Sequence, residues 1–152
     1  MKQRAALIHH LNKLKIQFPR EFADVDINDV KLYLDIANAD DIINIIDTDK
    51  NKFRLIVLEM LKGSYNPLLY RKEGESVTAM KFKGPNHNSR IYCLETKGVG
   101  IEKKRVVMAK GLWNKTSQKN NKTNNPIIES IQKYKYEYFN SIQEAKGFGK
   151  KD

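Results

Sequence analysis

After Asn66-Pro67 the chain changes from a helical to a two-residue hydrophobic period, and this switch limits its fold more than any other feature of the sequence. Alternation of apolar and polar side chains is the mark of a strand with one covered face. Three strands are read, over residues 76–83, 90–95 and 104–112, with turns supplied by Gly84-Pro85-Asn86 and Gly98-Val99-Gly100.

Pairing the first two strands so that Lys83 faces Arg90 across a six-residue loop, 84–89, sets Phe82 against Ile91, Lys81 against Tyr92 and Met80 against Cys93. Side chains alternate across a sheet, so Met80, Phe82, Ile91 and Cys93 fall on a core face. Lys81, Lys83, Arg90 and Tyr92 fall on the other, a basic patch with an aromatic ring. A slip of one residue would mix the two sets. The third strand, near-continuously apolar from Val106 to Ala109, reads as an interior strand covered on both faces.

The remainder reads as helical. Residues 1–14 suit a helix, with a short strand through 6–9 as the alternative. Residues 27–46 are acidic and isoleucine-rich, and Val30, Leu34 and Ala37 followed by Ile42, Ile43 and Ile46 suggest two short helices with Asn28 and Asp40 as caps. Thr48 is placed to cap a third helix with an apolar stripe of Phe53, Ile56, Val57, Met60 and Leu61, stopped by Gly63. Asn125-Pro126 opens a C-terminal helix over 125–146, with Ile127, Ile131, Tyr134, Tyr138 and Ile142 on one side. The expectation is therefore an α+β fold in a single domain, 1–152. It has a mainly helical part (1–66), a small sheet of at least three antiparallel or mixed strands (76–113) and a C-terminal helix.

Charge is distributed unevenly. Residues 1–70 carry 10 Lys and Arg against 10 Asp and Glu, whereas residues 71–152 carry 18 against 8, so the whole net charge of +10 lies in the second part. A localised surplus of this kind neutralises phosphates by displacing their counterions, which points to nucleic acid, RNA above all. The competing reading is a lysine-rich solvated face. No stretch reaches the roughly 20 apolar residues of a membrane span, and the opening segment is too interrupted for a signal peptide, so a cytoplasmic protein is expected. Cys93 is the only cysteine, and with His9, His10 and His87 it makes no metal-ligand spacing; chemistry free of metal and cofactor is expected.

Three short motifs carry a family likeness: Met80-Lys81-Phe82-Lys83, Ser89-Arg90-Ile91-Tyr92, and Val106-Val107-Met108-Ala109 leading to Leu112-Trp113-Asn114-Lys115-Thr116-Ser117-Gln118-Lys119. Over roughly residues 76–135 the chain resembles the RelE/ParE toxin superfamily, in particular its phage-derived HigB-like branch. The resemblance implies a RelE-like sheet packed against helices. It also implies an antitoxin-controlled mRNA endonuclease that cuts in the ribosomal A site without metal, and a cognate antitoxin as protein partner. Carried over by position, Lys81 and Lys83 match the paired strand lysines, Arg90 the strand arginine, and Lys115 or Lys119 the basic residue after the third strand. Residues 15–64 match nothing in the family. Its C-terminal catalytic tyrosine or histidine has only Tyr134, Tyr136 and Tyr138 as candidates here, two of them on the expected apolar helix face.

On this reading Lys83 and Arg90 grip the scissile phosphate, Lys81 is base or supporting cation, and Lys115 or Lys119 stabilises developing charge. A lysine among cations has its pKa lowered, which suits a base. His87, in the loop beside them, is a further proton carrier or a solvated loop histidine. Tyr92 either stacks on an unpaired base or covers the sheet beneath a helix. Lys110, Gln118 and Lys122 complete the expected RNA contacts. The rival functions are a ParE-like inhibitor of DNA gyrase and an RNA-binding module without catalysis.

Overall fold

The computed structural model describes residues 2–84, 87–113 and 124–147; for His87, Asn124 and Asn125 it describes the backbone alone. One mixed sheet runs through the described chain in the order β3-β4-β5-β6-β2-β1-β7. Its strands are β1 Gln3–Leu7, β2 Val30–Asp35, β3 Tyr70–Lys72, β4 Val77–Gly84, β5 His87–Lys97, β6 Lys104–Leu112 and β7 Tyr136–Phe139. The α+β class and the three central strands agree with the sequence reading. Four further strands widen the sheet.

The helices α1 His10–Gln17, α2 Ala39–Thr48 and α3 Lys50–Lys62 cover one face, here the first. Ile42, Ile45 and Ile46 of α2 and Phe53, Ile56, Val57, Met60 and Leu61 of α3 pack there on Leu32, Leu34, Met80, Phe82, Ile91 and Met108. Each such side chain, taken from water to the interior, contributes about 1.5–3 kcal/mol. Gly111 permits the close approach of α2, since a Cβ there would lie 2.7 Å from Ile45 Cδ1. The second face is covered over β4 and β5 by α4 Asn124–Gln132, whose Ile128 and Ile131 meet Val77, Ala79, Tyr92 and Leu94. The short α5, Ile142–Gly147, closes the first face over β1 and β7 through Ala145, packed on Ala6 and Phe139.

Several elements differ from those expected. Residues 30–35 form β2 rather than a helix. With Leu32, Tyr33, Leu34 and Asp35 all buried, this strand shows no two-residue period, and the spacing of Val30, Leu34 and Ala37 imitates a helix. Residues 3–7 form the strand β1, and the helix begins only at His10. The helix expected over 125–146 is three elements, because residues 136–139 leave the helical path to pair in parallel with β1, Gln3 opposite Tyr136 and Ala6 opposite Phe139. Thr48 ends α2; the cap of α3 is Asp49, whose carboxylate accepts the Lys52 N–H at 3.0 Å. Gly63 does stop α3, at φ 73°, the left-handed conformation that glycine adopts without penalty.

The central hairpin has a different register. Lys81, not Lys83, stands opposite Arg90; Phe82 faces Ser89, Lys83 faces Asn88, and Gly84 faces His87. The connection is thus two residues rather than six. A shift of two preserves side-chain parity, so the two sets of side chains still occupy opposite faces. Between β5 and β6 the ladder bulges, with Tyr92 opposite Lys110 but Cys93 opposite Met108. The carbonyl of the bulged Ala109 accepts a 2.7 Å hydrogen bond from Asn38 Nδ2, so it is not left unpaired.

Candidate nucleic-acid interface

On the second face the ladder brings Lys81, Lys83 and Arg90 together near the tip of the β4–β5 hairpin. β3 adds Arg71, opposite Ala79, and the segment after it adds Glu73. The Glu73 carboxylate lies 3.5 Å from Arg90 Nη1 and 3.9 Å from Arg71 Nε, with its side chain only 2% exposed. The result is a four-cation cluster around one buried carboxylate.

The members differ in access. Lys83 and Arg71 are exposed, Lys81 is 8% exposed, and Arg90 is 1% exposed. Burial, reinforced by the positive charges of Arg90 and Arg71, lowers the pKa of Lys81, and Glu73 offsets this in part. Arg90 therefore lies beneath the cluster and is not an open phosphate clamp. Its guanidinium pairs with Glu73.

Tyr92 has no exposed surface and packs in the cluster that contains Ile128 and Ile131 of α4. The base-stacking role expected of it has no ring face to use; the covering role is the one the fold gives it. Lys110 is exposed, directly opposite Tyr92, beside a shallow cleft formed with Pro126, Ile127, Ser130 and Tyr134. Lys115, Gln118, Lys119 and Lys122, together with the side chain of His87, lie outside the described residues.

Three groups escaped the sequence reading. Arg71 and Glu73 were hidden because β3 is only three residues long, too short to show a period. On the first face, the Glu95 carboxylate accepts hydrogen bonds from Tyr65 (2.6 Å) and Tyr70, with Lys104 Nζ at 3.5 Å. Burial and this carboxylate raise the Tyr65 phenol to about 12. On the second face from β6 across to β7, Tyr33, Tyr136, Tyr138 and Arg105 form a cluster of rings and one guanidinium. Nothing in the spacing of residues 33, 105 and 138 announces that they meet. Among the described residues no group of three or more His, Cys, Asp or Glu is placed to hold a metal ion, and no helix is long and apolar enough to cross a membrane.

No protein-family model, curated protein or solved structure matches the chain. The likeness to the RelE/ParE superfamily accordingly rests on its three short motifs, two of which form β4 and β5 at the cationic cluster.

Proposed function

We propose that this protein is a toxin-like endoribonuclease that cuts mRNA on the ribosome by lysine and arginine chemistry. The observation that carries the reading is the position of Lys81, a residue of 8% exposure in a strand ladder with Arg90 opposite and a lowered pKa. Such an amine is a stronger candidate for general base than a solvated lysine, since more of it is neutral near physiological pH.

In the proposed reaction, Lys81 removes the proton of a ribose 2′-hydroxyl, and the oxygen attacks the adjacent phosphorus in line. The bond to the 5′ oxygen breaks, that oxygen takes a proton from solvent, and a 2′,3′-cyclic phosphate remains. Lys83 and Arg71, the exposed cations, stabilise the added charge on the phosphoryl oxygens. Arg90 acts as a positioning residue that sets the field at Lys81. An antitoxin of acidic or amphipathic character, covering the same cations, is the partner this reading requires.

The test is cleavage of mRNA on purified translating ribosomes, mapped by primer extension, with free RNA alongside. Lys81→Ala and Lys83→Ala should each reduce cutting by about 100-fold or more, the scale of a lost proton carrier or charge donor. Wild-type cleavage should rise with pH along a limb centred below the 10.5 of an ordinary lysine, and this limb should vanish in Lys81→Arg. Intact mRNA with folded wild-type protein would overturn the proposal.

One observation favours a second reading, an RNA-binding module without catalysis. Arg90 and Glu73 have the burial of a structural ion pair, and such a pair holds a basic surface in shape whether or not bonds are cut. Salt-sensitive binding of uncut RNA would identify it.

A further inference from the structure

Part of the second face has no helix packed over it among the described residues. α4 lies over β4 and β5, whereas the sheet continues through β6, β2, β1 and β7. α2 packs against β2, and α5 against β1 and β7, both on the first face. This part of the sheet presents the partly exposed Leu7, Lys31, Arg105 and Tyr138 beside Tyr33, which is itself buried at 5% exposure. Register places Lys31 beside Arg105, Leu7 beside Tyr33, and Tyr138 two strands from Tyr33.

These side chains are held in place before any ligand arrives. The Tyr33 and Tyr138 rings meet edge to face at 4.8 Å. The Arg105 guanidinium lies 4.6 Å from the Tyr138 ring centre and 5.8 Å from that of Tyr33, while its Nε is 3.3 Å from Glu102 Oε1. Tyr136, next along the stripe, donates to Asp35 at 2.7 Å. The two carboxylates of the neighbourhood, Asp35 and Glu102, are themselves buried at 1% and 4% exposure. What this part of the sheet offers a ligand is therefore aromatic, cationic and short of exposed negative charge.

We infer that this sheet surface binds unpaired RNA bases, with the partly exposed Tyr138 and Arg105 as the stacking pair and the half-exposed Lys31 reaching the backbone phosphates. The inference rests on the proposal that the protein acts on RNA, and it names the substrate form: single-stranded segments. Bases stack on aromatic and guanidinium planes only when they are not already stacked in a duplex. Fixed rings lose little freedom on binding, and their preference is for base shape over sequence.

Photocrosslinking of wild-type protein to a single-stranded RNA containing 5-iodouridine, followed by peptide mapping, tests the placement without altering the fold. Crosslinks are expected on Tyr138. By fluorescence anisotropy the same strand should bind more tightly than its duplex, and Tyr138→Ala and Arg105→Gln should each weaken single-strand binding by roughly 5- to 100-fold, as loss of a stacking partner does. Crosslinks confined to the β4–β5 hairpin, with binding lost in Lys83→Ala but kept in Tyr138→Ala, would overturn this inference and leave the proposed function standing. A wild-type protein that binds no RNA, including one whose open sheet surface is instead covered by a protein partner, would overturn both.

Discussion

Arg90 shows how burial alters the meaning of a charged side chain. With 1% exposure and Glu73 at 3.5 Å, it belongs to the interior, and replacing it removes the nearer cation of a buried carboxylate that Arg71 reaches at 3.9 Å. Arg90→Ala is expected to destabilise the fold by about 3–5 kcal/mol, as breaking a buried pair does, and chemical denaturation would measure it. Any loss of activity in that variant would then report stability, so Lys81 and Lys83 are the informative substitutions. Glu102 makes a prediction with a definite sign. Its carboxylate accepts backbone N–H bonds, its own amide's and those of Gly100 and Val99, and lies beside Lys31; together these lower its pKa from 4.5 to about 2. A depressed carboxylate stabilises the fold above its unfolded pKa and loses that contribution as pH falls through the folded one. The melting temperature should therefore fall between about pH 4.5 and pH 2, and Glu102→Gln should flatten that part of the profile. At this scale much was legible from the sequence: the opposition of Met80, Phe82, Ile91 and Cys93 to Lys81, Lys83, Arg90 and Tyr92 follows from parity alone. The pairing of Lys81 with Arg90 was not, because a two-residue slip leaves parity unchanged.

Elements were readable where their partners are local. α3 has its stripe and its glycine stop within a single run of sequence, and the β4–β5 hairpin closes over a short connection. β2 and β7 depend on distant strands: β2 pairs in parallel with β6, and β7 pairs in parallel with β1. Helical spacing in their sequences was overridden by these tertiary contacts, as weak local preferences commonly are. α4 joins the two situations. Only nine residues long, it is too short to persist alone and depends on Ile128 and Ile131 against the sheet. Ile131→Ala, at a site with no exposure, should cost about 2–5 kcal/mol and speed amide hydrogen exchange throughout α4 before the sheet is affected. Exchange in α4 that stays coupled to the central strands would show instead that helix and sheet open as one unit. α4 also roofs the sheet beside Arg90 and Tyr92, so its loosening should alter the surroundings of Lys81 and change cleavage at constant sheet stability.

For the whole molecule, the placement of charge matters more than its sum. The basic surplus of residues 71–152 falls in strands β3 to β6 and the C-terminal residues beyond them, while the N-terminal part, neutral in sum, supplies β1, β2 and the helices α1 to α3. RNA affinity should consequently fall steeply with salt, log K decreasing by roughly 0.7 for each phosphate contact per unit of log salt for a single strand. Titrations at several salt concentrations would count those contacts, and a flat response would exclude a phosphate-based interface. The order of the sheet has a further consequence, for how the chain is made. β1 leaves the ribosome well before residues 136–139, and one of its two edges stays unpaired until they arrive. Between the emergence of β1 and that of β7 the nascent protein therefore presents an open strand edge, the feature by which sheets recruit other chains. A chain that stalls or is cut within the segment between β6 and β7 keeps that edge exposed permanently, and its expected fate is self-association or capture by chaperones rather than a slightly weakened fold.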